Sequence, residues 1–283
     1  MIHRVAAIQM TSGPDVEANL TVAEKLIREA SSQGAGLVVL PENFALMGKT
    51  EQDKLTISER EGCGVIQDFL SQQAVTHNIW IVGGTIPITA TVTAGAVQKV
   101  RAACLVFDAQ GNQAARYDKI HLFDVSLDEN KEVYLESQTI EPGNSVVVCE
   151  APCGRIGIAV CYDLRFPEMF RQMLEKDVEI IVLPAAFTAI TGKAHWEILV
   201  RARAIENLCY VIASAQGGYH ANGRETYGDS MIVDPWGAVL KHLPQGPGVV
   251  VADVNRDRMT KLRRSFPAIE HRRFRTHIHT SKA

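Results

Sequence analysis

GLVVLPEN, residues 36–43, is a short apolar run without polar alternation that ends on a carboxylate. A strand with one wet face alternates apolar and polar residues, whereas a strand covered on both faces reads as a continuous apolar run. A similar stretch, EIIVLPAA, stands at 179–186. CLVFDAQGN (104–112) likewise resembles MIVDPWGA (231–238), and each continues as a second strand. A helical pattern precedes the first motif in each half: 16–32 places Leu20, Ala23, Ile27 and Ala30 on one face, and 166–176 opens with Pro167 in its first turn, where a missing N–H is harmless. A third helix is expected over 196–208. Further strands are expected at 5–10, 79–86, 101–108, 145–150, 155–162, 210–216, 229–235 and 248–254. Strands alternating with helices, plus hairpins, predict an α/β fold. Two similar halves, each supplying one sheet, predict a two-sheet core with helices outside.

The 283 residues suffice to bury a sizeable core. A net charge of −3 gives no electrostatic footprint for nucleic acid or an anionic membrane. The opening MIHRVAAIQM meets polar TSGPD too soon for a signal-peptide core, and no run approaches a spanning helix. A soluble, cytoplasmic protein is expected. Six cysteines in a chain of this length form no disulfide framework. Cys149 and Cys153 lack a second Cys or His pair at zinc spacing, so most thiols are expected in the core. No residue requires a metal or organic cofactor.

Three chemically able residues each follow a strand-like run: Glu42 after GLVVLP, Lys119 in ARYDKIHLFD, and Cys161 after RIGIAV. Strand ends are where sites gather in layered α/β proteins. Singly, each has a plain structural reading, as a loop charge, half an ion pair and core filler. Together they make chemical sense. A thiol is only a few per cent ionised at neutral pH and needs a base, which a carboxylate supplies. Attack on a carbonyl creates an oxyanion, which an ammonium and a backbone N–H stabilise. Cys–His catalysis is the alternative, with His121 and His195 near the motifs, and spacing alone does not separate the two. The chain has no G-x-S-x-G elbow, P-loop or G-x-G-x-x-G following a strand.

LPENFALMG around Glu42, YDKIHLFD around Lys119 and GIAVCYDLRFPE around Cys161 resemble, in order, the three signature segments of the nitrilase superfamily of carbon–nitrogen hydrolases. The resemblance runs from AAIQM to FPAIEHRR. It implies an αββα sandwich of two mixed sheets, with Glu42 as general base, Lys119 as oxyanion stabiliser and Cys161 as nucleophile acting through a thioester. Glu136, in YLESQTIEPG, matches a second glutamate that positions the lysine or the substrate, and Tyr162 supplies an oxyanion N–H. Tyr162 and Asp163 after the cysteine, rather than tryptophan, point to the amidase-type branch. The stretches FDVSLDENKEVYLES, AFTAITGKAHWEILVRARAIEN and YGDSMIVDPWG resemble its deaminated-glutathione and ω-amidase members, with AQGGYHANGRETYG leaning to the former. That implies a small amide substrate with a carboxylate or 2-oxo acid end, such as deaminated glutathione, cleaved to 2-oxoglutarate and Cys-Gly. A 2-oxoglutaramate-type ω-amide, an N-carbamoyl or aliphatic amide, and a non-catalytic binding role are the alternatives.

Arg165, four residues past Cys161, has the planar fork to clamp such a carboxylate, or else pairs with Glu168 or Asp163. By resemblance Phe187, Thr191 and His195 line the pocket. One hydrolase domain is expected over 1–270, with a basic tail over 271–283. By resemblance this tail, or the FPAIEHRR segment that leads into it, serves as a homodimer arm. His277 and His279 in the tail are read as solvated rather than metal-binding.

Overall fold

In a computed structural model of the chain, residues 1–90, 98–127 and 132–274 are described. Two sheets form its centre. The first has the strand order Gly248–Asn255, Ile2–Gln9, Leu37–Val39, Trp80–Val82 and Val100–Phe107. Val100–Phe107 also pairs with Ile86–Thr89 along the edge that meets Trp80–Val82, and with Gln113–Asp118 on the other. The second runs Val239–Leu243, Ser230–Val233, Tyr210–Ala215, Ile180–Ala185, Gly154–Ile158 and Val148–Ala151. Each holds three parallel strands at its centre and antiparallel strands beside them.

Side-chain alternation assigns the layers. From the first sheet Val5, Ala7, Leu37, Val39, Val82 and Val106 join one apolar cluster with Ile156, Ile158, Ile180, Val182 and Ile212 of the second. Their neighbours Ala6, Ile8, Val38, Ile81 and Leu105 point the other way, onto Ala23, Ile27 and Ala30 of helix Val16–Ser32 and Ile66, Leu70 and Ala74 of helix Val65–His77. Helices Pro167–Leu174 and Ala189–Asn207 cover the outer face of the second sheet through Phe170, Met173, Trp196 and Val200. The result is the αββα sandwich. Strands buried on both faces explain the unbroken apolar runs.

The repeat is present as βαβαβ followed by a hairpin in each half, with one departure from one sheet per half. Gly248–Asn255, from the end of the chain, pairs along all eight residues of Ile2–Gln9 in the first sheet. The helix expected over 196–208 begins earlier, at Ala189, because Thr188 caps it by accepting from the Thr191 amide. Helix Val65–His77 is absent from the sequence expectation because its apolar residues do not concentrate on one stripe. Helix Arg256–Ser265 buries only Met259, so its sequence lacks an apolar face. Most of the tail, including His277 and His279, lies outside the described residues.

Candidate active site

Three strand ends meet in one cleft. Glu42 lies three residues past Leu37–Val39, Lys119 directly follows Gln113–Asp118, and Cys161 lies three residues past Gly154–Ile158. Lys119 Nζ is 2.8 Å from Glu42 Oε1, and 2.9 and 2.8 Å from the two carboxylate oxygens of Glu136. All three side chains are buried. Glu136 is held in turn by the Phe123 amide, which donates to its Oε2 at 2.8 Å. Glu42 is placed by its own backbone: Gln216 Nε2 donates to its carbonyl, and the next amide, Asn43, donates to Thr85 Oγ1. Gly84, at φ +58°, lets the chain pass beneath this turn; a Cβ there would stand 2.1 Å from the Pro41 carbonyl oxygen.

Cys161 opens a 3₁₀ turn, Cys161–Arg165, at φ +48°, in the left-handed region that a residue with a Cβ seldom occupies. Its sulfur accepts from the Ala186 amide at 3.5 Å. At the start of such a turn the first amides, including that of Tyr162, have no carbonyl within the turn to bond. A fully buried carboxylate, Asp163, holds the turn. It accepts from the Val160 amide at 2.8 Å, the Tyr117 hydroxyl at 2.7 Å and the His121 amide at 3.1 Å, and lies 2.7 Å from His121 Nδ1. Tyr117 and His121 flank Lys119 in sequence, so Asp163 fastens the lysine segment to the cysteine segment. Asp163→Ala is expected to cost about 3 kcal/mol or more of stability and to lower kcat, with Asp163→Asn intermediate. Denaturant unfolding and steady-state rates check this.

The charges explain one another. Burial opposes the positive charge of Lys119, yet the carboxylates of Glu136 and Glu42 outweigh it and hold the ammonium well above its ordinary range. Burial likewise opposes the charge of Glu136, and Lys119, with Lys54 behind it, outweighs that and holds the carboxyl below its ordinary 4.5. Burial pushes the Cys161 thiol far up, and the negative charge of Glu42 adds to this against the pull of Lys119. At rest the sulfur is therefore a neutral thiol beside two carboxylates and one ammonium. A carboxyl depressed on folding contributes stability above its unfolded value and loses it as pH falls through its folded one. Stability should accordingly drop below about pH 4.5, and Glu136→Gln should flatten that acid limb. Thermal melts across about pH 3 to 7 test this.

The three strand ends open onto one partly open cleft. Glu42, Lys119, Glu136, Cys161, Tyr162, Arg165, Phe187 and Thr191 all line it, so eight of the nine residues singled out in the sequence come together. His195 does not. It is exposed on helix Ala189–Asn207, and its Nδ1 sits 3.3 Å from Arg165 Nη1. Arg165 has neither Glu168 nor Asp163 as an ion-pair partner; its guanidinium lies against the rings of Phe187 and Tyr162, 5.2 and 5.8 Å from their centroids. His121 stacks on Phe166 at 3.8 Å and bonds Asp163, and among the described residues no histidine lines the cleft. The groups that act on the thiol are Glu42, Lys119 and the Ala186 amide, which favours the carboxylate over an imidazole as its base. Glu51, Lys54, Tyr134 and Arg224 also stand in the wall, although none of them follows an apolar run. Tyr134 and Arg224 sit in hairpins Asp124–Leu127/Glu132–Leu135 and Gly217–Tyr219/Glu225–Tyr227, which lie outside both main sheets and carry no apolar run. Among the described residues, no helix is long and apolar enough to cross a membrane.

The carbon–nitrogen hydrolase family model matches residues 4–264. The deaminated glutathione amidase of Synechocystis sp. is 41% identical over 274 residues, which cover 96% of this chain and 98% of that protein. The crystal structure of the Caenorhabditis elegans NitFhit protein is similar at TM-score 0.87 and 35% identity; the match covers 96% of this chain and 65% of that longer one. Saccharomyces cerevisiae Nit3, a member of branch 10 of the nitrilase superfamily, is similar at TM-score 0.85 and 28% identity, over 96% of this chain and 97% of its own.

Proposed function

The chain belongs to the carbon–nitrogen hydrolase family, and on that premise we propose that it is a thiol-dependent amidase acting on deaminated glutathione, releasing 2-oxoglutarate and Cys-Gly. The observation that carries this reading is the contact of Lys119 with both Glu42 and Glu136 in the cleft that holds Cys161. The substrate follows the name of a relative matched along nearly its whole length.

The cluster of one ammonium between two carboxylates carries net negative charge, and burial of the sulfur beside Glu42 adds to the cost of a thiolate. A second anion on sulfur is disfavoured before substrate arrives, so deprotonation accompanies attack. As Cys161 Sγ bonds the amide carbon, Glu42 takes the thiol proton, and the carbonyl oxygen becomes an oxyanion. At rest the three N–H donors of Lys119 face Glu42 and both oxygens of Glu136; the oxyanion takes over the place of one Glu136 oxygen and shares that donor with the Tyr162 amide. The C–N bond breaks as Glu42 returns the proton to the departing amine, leaving a thioester. Water then attacks the thioester while Glu42 accepts its proton. The C–S bond breaks, the acid departs and the thiol is restored. Glu136 keeps the ammonium aimed. Arg165, its plane supported by Phe187 and Tyr162, receives the carboxylate of the 2-oxo acid end.

The chain works as one domain through about residue 270, by the continuous pairing of its first and last strands. A homodimer is favoured by exposed Ile198, Ile205, Trp236 and Phe266: the two isoleucines share a helix face, and Trp236 packs edge-on to Phe266. Sedimentation at twice the chain mass supports this; a monomer rejects it. Six unpaired cysteines fit a reducing, cytoplasmic setting. The direct test is release of Cys-Gly and 2-oxoglutarate from deaminated glutathione, measured beside ammonia release from 2-oxoglutaramate. Turnover of the latter alone would overturn the substrate assignment.

A further inference from the structure

Arg224 has no assigned part in the chemistry above, yet its guanidinium lines the same cleft. Its Nη2 donates to the Ala186 carbonyl, and the amide of that same residue reaches Cys161 Sγ at 3.5 Å. Its plane rests over Tyr134, 5.1 Å from the ring centroid. Its buried Nε has no hydrogen-bond partner, and the one bond the side chain makes among the described residues goes to a carbonyl, not a carboxylate. A buried charged donor left unbonded is costly unless a ligand completes it. Stacking on an aromatic face fixes the fork, and apart from the N–H that Nη2 gives to Ala186 its edge donors remain to match a carboxylate. Lys54, the other cation of the wall besides Lys119 and Arg165, is already neutralised by Glu51 at 2.7 Å. The cleft thus offers two guanidinium forks without acid partners, Arg165 and Arg224.

Their supports differ. Arg165 belongs to the turn of the nucleophile. Arg224 belongs to a hairpin fastened to the turn of the base: Asn222 Nδ2 donates to the Gly48 carbonyl, His220 Nδ1 lies 2.8 Å from the Ser12 carbonyl, and Gln216 Nε2 reaches the Glu42 carbonyl. Glu42 is the group that protonates the departing amine, so the leaving group faces its side.

We infer that Arg224 is a specificity-determining residue that binds a carboxylate on the leaving-group half of the substrate, opposite the acyl-end carboxylate at Arg165. This rests on the amidase reading above and deepens it: the preferred substrate carries an anionic group on both sides of the scissile amide, as deaminated glutathione does and a primary ω-amide does not. The test is a cycle of two enzymes and two substrates, deaminated glutathione and its C-terminal glycinamide. In the unaltered enzyme, amidation of that carboxylate should lower kcat/KM about 10- to 100-fold, the scale of a charge-assisted hydrogen bond. In Arg224→Gln the same change should cost no more than about 2-fold, and Arg224→Lys, which keeps charge but not the fork, should fall between. An equal penalty in all three enzymes would overturn the subsite while leaving the amidase assignment intact. Failure of the unaltered enzyme to cleave deaminated glutathione at all would overturn the substrate assignment, and the subsite with it.

Discussion

Cys161→Ala should abolish turnover while leaving the fold in place. In the proposed reaction every bond change at the amide carbon passes through Cys161 sulfur, and neither Glu42 nor Lys119 substitutes for it as a nucleophile. Loss of the nucleophile in an enzyme with covalent catalysis costs about 10⁴-fold or more in kcat. Stability should change by about 1 kcal/mol or less, because alanine removes one sulfur atom and one weak bond from the Ala186 amide. The left-handed backbone at this position is unaltered, since alanine carries the same Cβ. Activity assays and thermal melts on the same preparation separate the two effects. Intact-mass measurement adds a third readout: a thioester trapped on the unaltered enzyme should be absent from the variant. A Cys161→Ala protein with normal turnover would refute the thioester route.

Lys119→Ala should lose both activity and stability, the second large effect. Loss of an oxyanion donor costs about 10²- to 10³-fold in kcat. The structural loss arises separately. Glu42 and Glu136 would remain buried with no ammonium between them, and breaking a buried pair from one side typically costs about 3–5 kcal/mol. For a chain of this size that lowers the melting temperature by roughly 5–15 °C. The penalty should shrink on acidification, as protonation removes the repulsion between the stranded carboxylates. Lys119→Met combined with Glu136→Gln should recover much of the stability, one carboxylate and the ammonium having been withdrawn together, but no activity. Recovery of activity along with stability would show that the lysine holds the structure without serving the reaction.

Much of this architecture was legible along the chain. The apolar runs at 36–42, 155–162, 179–187 and 210–216 each contain a strand covered on both faces, and 16–32 forms a helix with the bounds its periodicity indicated. The hairpin echo correctly implied the second strands Gln113–Asp118 and Val239–Leu243. Two short hairpins were not legible, because Asp124–Leu127/Glu132–Leu135 and Gly217–Tyr219/Glu225–Tyr227 wall a cleft instead of filling a core. Polar walls need no apolar period. Arg224 was missed for that reason, and His195 was placed in the pocket although its helix turns it outward.

The sequence by itself determined the layered α/β class, the residue types needed for amide cleavage, and their positions just beyond strands. Those properties follow from local patterning, which each segment carries whatever its neighbours do. Only the tertiary structure decided that Lys119 bonds a glutamate 77 residues away, that Asp163 fastens the lysine segment to the cysteine turn, and that Arg224 faces the site. These contacts depend on which strands pair and on how far packing excludes water. Burial also gives the ammonium and carboxylates their strength, and no stretch of chain read alone records how deeply it will be covered.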